Sequence, residues 1–367
     1  MEIFKNKEVL DINYIPTEDL LLFRENEKEK LKIVFNSMGG IPSHLMCYGF
    51  AGTGKTMTVR FMSRKYGFHK FNEKVVYINT ANCATELQAL SYLLSELGQP
   101  VGGKMVQSYY AAFKKMVKDY DLRLLVILDE VDKLLYRSGD NFIYNLLEMG
   151  NVSFIMITNN ALCFDRMEDR VKSRLGGPPR VLFEPYNAIQ IKQILDKRAF
   201  LAFNIVNMEA SVVPKVAALA AQEHGDARRA ISLLKACGDL AEARGTIVME
   251  EYIDEADEMT ESSEVNNIIR SLPMQAKAVL KALYTCIKNG KNGEVTSTDL
   301  YEAYTRMAEG MYMKVMTDRR IRDYLWELEG AGLIASRMSS VGRNIREKKI
   351  RLGVPIKILE PIINKME

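Results

Sequence analysis

The run Gly49-Phe50-Ala51-Gly52-Thr53-Gly54-Lys55-Thr56 restricts the fold of this 367-residue chain more than any other segment. It fits the pattern G-x-x-x-x-G-K-[ST], directly after a short apolar run, Leu45–Tyr48, and directly before a helical pattern, Met57–Tyr66. Glycines let backbone amides curl around phosphate oxygens, and the N-terminus of the following helix adds its partial positive charge. In such a loop Lys55 reaches the outer phosphates of a nucleotide and the Thr56 hydroxyl ligates Mg²⁺. The chemistry works only where a strand hands over to a helix, so the motif commits this region to an α/β sheet.

The neighbouring pattern agrees. Between Leu45 and Glu184 brief apolar runs alternate with helical periodicity, which predicts a parallel sheet with helices on both faces. The candidate strands are Leu45–Tyr48, Val75–Asn79, Leu124–Leu128, Phe154–Thr158 and Val181–Phe183, each continuous in apolar residues as strands buried on two sides are. The third delivers Asp129-Glu130 at its carboxyl end, where open α/β sheets bind ligands. Asp129 is placed to hold the Mg²⁺ shell, Glu130 to orient or deprotonate a water, and Asp132 to cap or brace the following helix.

After Pro185 the pattern turns helical, over Ala188–Phe203, Pro214–His224 and Ala227–Ala243. The polar, acidic stretch Glu255–Ser263 reads as a linker, leaving about 100 residues for a further unit. The expected division is 1–184 for the nucleotide core, 185–260 for a helical lid and 264–367 for the last domain. No apolar run approaches the length of a membrane span and the start has no secretory pattern, so a cytoplasmic protein is expected. The five cysteines are far apart and without a C-x-x-C pair, which argues against a zinc site or a disulfide framework.

The formal net charge of +3 hides an asymmetry. Residues 264–367 carry 18 Lys and Arg against 12 Asp and Glu, a net +6, and the rest of the chain is left at −3. A basic segment of this kind suits a nucleic-acid surface, or alternatively a solvated basic face. Within it, Gly293–Gly353 reads as a winged helix-turn-helix. Thr296-Ser297-Thr298-Asp299 has the form that caps a helix start, and Thr317-Asp318 opens a second helix running to Gly330. On that second helix Ile321, Tyr324, Leu325 and Leu328 fall at i, i+3, i+4 and i+7 and face the core. This leaves Arg319, Arg322 and the sole tryptophan, Trp326, on the opposite side, with Arg320 on the flank, an arrangement that fits a helix lying in the major groove. Two strand-like runs around a polar turn follow as a wing. Arg337, Arg343, Arg346, Lys348, Lys349 and Arg351 there face the single acid Glu347, which suits phosphate and minor-groove contact.

The phosphate loop and acidic strand end together resemble the AAA+ class of P-loop ATPases, in which Asn159, at the end of Phe154–Thr158, holds the position of the first sensor. An Asn-Asn turn closing a strand is the plainer reading of that residue alone. Asp169-Arg170-Val171-Lys172-Ser173-Arg174-Leu175, Phe183-Glu184-Pro185-Tyr186, Ile194-Leu195-Asp196-Lys197-Arg198 and Gly225-Asp226-Ala227-Arg228-Arg229-Ala230 narrow the resemblance to the archaeal and eukaryotic replication initiators of the origin-recognition-complex and cell-division-cycle type. The resemblance spans nearly the whole chain and implies ATP or ADP with Mg²⁺ as ligands. It assigns Gly52, Thr53, Gly54, Lys55, Thr56, Met57, Asp129, Tyr186 and Arg228 to the nucleotide, with Arg228 as second sensor. Tyr14-Ile15-Pro16 and Phe23-Arg24-Glu25-Asn26-Glu27 resemble the segment that cradles the adenine. Arg174, with Arg170 as the other candidate, is the arginine offered to a neighbouring subunit.

The same resemblance implies double-stranded origin DNA, other initiator subunits and the replicative helicase as partners, slow switch-like ATP hydrolysis, and association with the nucleoid. It also places an inserted, DNA-touching helix near Ser91–Lys104, with Gln99 and Lys104 as contacts. Gly342-Arg343-Asn344 departs from the more glycine-rich wing tip of archaeal members, and Phe50-Ala51 from the residue pair common in their phosphate loop. The competing readings are a regulatory P-loop ATPase of the signalling or transcription type with a winged helix, and a processive helicase or clamp loader. The stretches Gly225–Ala230 and Tyr14–Glu27 favour the initiator over the first, and the lack of a candidate pore loop or zinc module disfavours the second.

Overall fold

The computed structural model describes residues 2–37, 40–67, 72–99, 102–103, 105–222, 225–290, 293–310, 312–340 and 346–364. It forms two compact units, Met1–Ile253 and Asp254–Glu367.

The first unit runs α1 (Glu25–Asn36), β1 (His44–Tyr48), α2 (Lys55–Tyr66), β2 (Glu73–Asn79), α3 (Glu86–Glu96), α4 (Val106–Tyr120), β3 (Arg123–Asp129), α5 (Val131–Ser138), α6 (Asn141–Leu147), β4 (Val152–Thr158), α7 (Asp169–Leu175), β5 (Arg180–Leu182), α8 (Ala188–Ala202), α9 (Val212–Gln222) and α10 (Ala227–Arg244). Its five strands pair in parallel in the order β2-β3-β4-β1-β5. Alternation along β3 explains why the strands read as unbroken apolar runs. Leu124, Val126 and Leu128 pack with Leu90, Phe113 and Phe142 on one face, whereas Leu125 and Ile127 pack with Leu31, Phe35 and Val59 on the other. Each such side chain, fully buried, contributes about 1.5–3 kcal/mol of transfer free energy. Both faces are covered, which leaves the rim where the strands end as the place for a ligand.

Local signals set the helix starts around that rim. Thr85 and Gln88 form a reciprocal capping box at α3, Asn187 and Gln190 form another at α8, and Asp226 caps α10 by accepting the amides of Arg228 and Arg229. The helices α8, α9 and α10 pack on one another, and Phe4 from the N-terminal segment stacks on Phe203 at 4.8 Å between ring centroids.

The second unit contains α11 (Tyr252–Ser271), most of which lies beyond the boundary, α12 (Met274–Asn289), β6 (Val295–Thr296), α13 (Ser297–Gly310), α14 (Asp318–Gly330), β7 (Ile334–Ser340), β8 (Arg346–Leu352) and α15 (Ile356–Ile363). The acidic stretch expected as a linker, Glu255–Ser263, is helical and lies inside α11. Ile253 before the stretch, Ala256 within it, and Val265 and Ile269 after it are buried and hold the polar turns in place. Strands β6, β8 and β7 form an antiparallel sheet in that order, and α12, α13 and α14 pack around Leu283, Leu300, Tyr304, Ile321 and Leu328. Thr296 caps α13: its hydroxyl accepts the Asp299 amide at 3.1 Å and donates to the Asp299 carboxylate at 2.8 Å. No helix among the described residues is long and apolar enough to cross a membrane.

Candidate functional site

Three strand ends meet at the rim of the first unit. After β1 the loop turns through Gly52 (φ +70°) and Gly54 (φ +84°) into α2. Gly52 has a second reason to lack a side chain, because a Cβ there would stand 1.8 Å from the Asp226 carboxylate at the start of α10. Lys55 is buried, and its ammonium donates to the carbonyls of Gly49 (2.9 Å) and Phe50 (2.6 Å). Burial, with the positive charge of Arg228 adding to it, lowers its pKa to about 8.

Asp129, at the end of β3, is only 5% exposed. Its Oδ2 accepts from the Thr56 hydroxyl at 2.8 Å and from the Tyr77 phenol at 2.6 Å, and its Oδ1 accepts from the Glu130 amide at 3.0 Å. Glu130 turns the chain from β3 into α5 with φ +54°. Burial, then the Asp129 charge beside it, raises the Glu130 pKa. Asp132 accepts from the Thr158 hydroxyl at 2.8 Å and braces the start of α5 against the end of β4.

A cleft of about 620 Å³ brings Gly52, Gly54, Lys55, Thr56, Met57, Asp129, Glu130, Tyr186 and Arg228 to one space. Ile12, Pro16, Leu20, Ile194 and Ile231, with Asn13 and Arg198, line the same cleft. Polar, cationic groups for phosphates and apolar surface for a flat base are the two requirements of a nucleotide site, and the lining offers both. The Thr56 hydroxyl and Asp129 carboxylate, already within hydrogen-bonding distance, are the hard oxygen donors that Mg²⁺ takes from a protein when phosphates complete its shell. No group of three or more His, Cys, Asp or Glu among the described residues could hold a metal by itself.

Other expected site residues lie elsewhere. Tyr14 and Ile15 do not line the cleft, although residues on either side of them do. Ile15 packs against the sheet, and the Tyr14 ring lies 5.8 Å from the Arg198 guanidinium. Arg24 is buried outside the cleft lining, where it donates to the carbonyls of Thr53 (3.1 Å) and Glu184 (2.7 Å) and stacks on Tyr186 at 4.0 Å. It therefore clamps the phosphate loop to the end of β5 rather than presenting its charge to a ligand. Thr53 is fully buried, its hydroxyl donating to the Phe50 carbonyl. Asn159 follows β4 at the same rim and is exposed, outside the cleft lining. Arg174 and Arg170, on α7, are also outside the cleft and flank one ring, Tyr144, at 4.8 and 4.5 Å. Arg174 pairs with Glu148 at 2.7 Å and Arg170 with Glu168 at 2.6 Å. Gln99 is exposed just after α3, and Lys104 lies outside the described residues.

Sequence reasoning missed Tyr77, Arg60, Arg198 and the Asp226 carboxylate. Arg60 lines the cleft with its guanidinium 5.4 Å from the Tyr77 ring, and Arg198 lines it while buried and donating to the Val9 carbonyl. The only signal available for Tyr77 and Arg60 was their location on the strand and helix flanking the loop.

In the second unit α14 buries Ile321, Tyr324, Leu325 and Leu328, while Arg319, Arg320, Arg322 and Trp326 (62% exposed) face solvent. Arg322 pairs with Asp318, and Arg320 lies 3.4 Å from Asp323. The wing is less uniformly basic than its own sequence, because other elements lend it acids: Arg337 pairs with Glu294 at 2.8 Å, and Lys348 lies 3.8 Å from Glu329. Exposed pairs of this kind are worth little and yield readily to phosphates. Arg346 belongs to β8, and Arg343 lies outside the described residues.

A parallel sheet bearing a phosphate loop, an acidic strand end and a helical lid, in a chain that ends in a winged helix, defines an AAA+ ATPase with a C-terminal winged-helix domain. Family models agree: an AAA domain matches residues 42–163, the Cdc6 AAA+ ATPase-type lid domain residues 192–258, and the CDC6 C-terminal winged helix domain residues 267–361. The chain is 36% identical over 372 residues to an ORC1-type DNA replication protein of Methanosarcina acetivorans, covering 96% of this chain and 88% of that one. It is 35% identical to the corresponding protein of Thermococcus onnurineus, over 97% of this chain and 90% of that one. Among solved structures, the Aeropyrum pernix ORC1 protein in complex with DNA superposes with a TM-score of 0.89 at 31% identity, covering 100% of this chain and 98% of that one. The chain belongs to the ORC1/Cdc6 family of DNA replication initiators.

Proposed function

We propose that this initiator binds ATP and ADP with Mg²⁺ in the cleft of the first unit, hydrolyses ATP slowly as a switch, and holds double-stranded origin DNA with the winged helix. The domains taking these parts are 1–184, 185–260 and 264–367. One observation carries the reading: Lys55, Thr56, Asp129, Glu130 and Arg228 converge on one cleft in a chain whose other unit exposes arginines on α14. Lys55 meets the outer phosphates and Arg228, leaving the cap of α10, reports their state to the lid. Glu130, made more basic by burial, orients the attacking water, with Asn159 at the neighbouring strand end. Mg²⁺ held by Thr56 and Asp129 would neutralise charge on the phosphate oxygens. Arg174, or Arg170 beside it, exchanges its intramolecular carboxylate for the nucleotide of a neighbouring initiator subunit.

The helix α14 reads base edges while the wing, through Arg337, Arg343, Arg346 and Lys348, takes phosphates. The similar Aeropyrum pernix ORC1 protein is seen in complex with DNA, which supports this part of the reading. With origin DNA held at the nucleoid, the ATP-bound form recruits the replicative helicase. Fluorescence anisotropy with duplexes carrying origin repeats tests the DNA reading. Selective binding, weakened by Arg322→Glu and Arg343→Glu, is expected. Binding that neither discriminates sequence nor responds to either charge reversal would falsify it.

A further inference from the structure

Asp129 is the one carboxylate on which the proposed metal site depends, and the structure fixes it with more than the phosphate loop. Its register partner on β2 is Asn79, and Tyr77 stands two residues earlier on the same strand. Residues two apart share a face of the sheet, so Tyr77 and Asp129 project from the same side, where Leu125 and Ile127 also pack. A phenol spans the intervening ~7 Å along the strand. The Tyr77 hydroxyl accordingly donates to Asp129 Oδ2 at 2.6 Å, the oxygen that also receives the Thr56 hydroxyl at 2.8 Å. Arg60 stacks on the Tyr77 ring at 5.4 Å and lines the same cleft.

The three donors on Asp129 are not equivalent. A hydroxyl that would ligate a cation through an oxygen lone pair can keep its proton on the carboxylate, so the Thr56 contact is compatible with a bound ion. The Glu130 amide holds Oδ1, and of the two side-chain donors on Oδ2 the Tyr77 phenol is the one that would not itself be an ion ligand. It restrains the rotation of the carboxylate about its Cβ–Cγ bond, and so would help present the carboxylate to an ion. Hydrogen bonds of this kind to ligating carboxylates set metal affinity, and their loss typically costs about 10–100-fold.

We infer that Tyr77 is a positioning residue for Asp129 that tunes Mg²⁺ coupling to nucleotide binding, an inference that rests on the Mg²⁺-nucleotide reading of the cleft. It acts through Asp129, the ion's ligand, so its loss should separate metal dependence from nucleotide affinity. The test is a titration of the full chain with a fluorescent ADP, in EDTA and across a range of MgCl₂, for wild type, Tyr77→Phe, Asp129→Asn and the double variant. Expected is an unchanged affinity in EDTA for Tyr77→Phe, with the Mg²⁺ midpoint raised about 10–100-fold. In the Asp129→Asn background the same substitution should shift the midpoint no further. A midpoint equal to that of wild type overturns the inference while leaving the cleft reading standing. So does a loss of affinity in EDTA, which would mark Tyr77 as merely structural. A wild-type chain that binds no nucleotide, or binds it without regard to Mg²⁺, overturns the cleft reading and the inference together.

Discussion

Lys55 and Glu130 are perturbed in opposite senses, and each sense suits phosphate chemistry. The buried ammonium, with a pKa near 8, is under-solvated and recovers that loss when phosphate oxygens arrive. The buried carboxylate, with its pKa raised, is a better proton acceptor from water than a solvated glutamate. Replacing Lys55 by Ala should weaken ATP binding about 10–100-fold, the worth of a charge-assisted hydrogen bond. Replacing Glu130 by Gln should leave binding within a few-fold and slow hydrolysis by roughly 10²–10⁴. Labelled-nucleotide fluorescence and phosphate release measure the two quantities, and Glu130→Gln turning over at the wild-type rate would remove Glu130 from the mechanism. Both residues were legible in the sequence because their partners follow from local spacing within a loop or at a strand end. Tyr77 and Arg24 were not. The role of Tyr77 depends on the register of β2 against β3, and that of Arg24 on carbonyls 29 and 160 residues away.

His44, where β1 starts, shows how pairing between elements makes a residue pH-sensitive. It stands opposite Phe154 of β4, and its Nδ1 accepts the Phe154 amide at 3.2 Å, which requires that nitrogen to be unprotonated. Burial pushes its pKa down from 6.5 to about 4. The unfolded chain therefore binds a proton in this window that the folded chain refuses. The stability His44 contributes is complete above pH ~6.5 and is lost as pH falls toward 4. Its share is about 1–2 kcal/mol once the partial exposure of the ring is allowed for. Urea midpoints between pH 7 and 4 should fall more steeply for wild type than for His44→Asn, whose amide oxygen keeps an acceptor near Nδ1, and parallel curves would refute the assignment. At this scale the strands themselves were legible to within two residues, because burial on both faces writes an unbroken apolar run. The stretch Glu255–Ser263 was not, since most of the apolar residues that hold its helix, Ile253, Val265 and Ile269, lie outside it. The acids facing the wing were hidden for a similar reason, as Glu294 and Glu329 come from neighbouring elements.

Across the whole molecule the net +3 averages an acidic ATPase body with a reader of net +6, and salt should act on the two very differently. Lys55 and Asp129 are buried, and buried interactions are only weakly screened by ions. The arginines of α14, together with Arg337 in the wing, are exposed, and their present carboxylate partners are surface pairs that phosphates displace. Each phosphate neutralised releases counterions, so four such contacts would cost about 100-fold in DNA affinity between 50 and 200 mM salt. Nucleotide affinity over the same range should change by no more than a few-fold. Anisotropy of labelled duplex and fluorescence of labelled ADP, followed in one salt series on the full chain, measure both. Arg322→Glu should lower the DNA slope by about one contact and leave the nucleotide curve in place. A nucleotide affinity as steeply salt-dependent as the DNA affinity would place the nucleotide on an exposed charged surface instead of in the buried cleft.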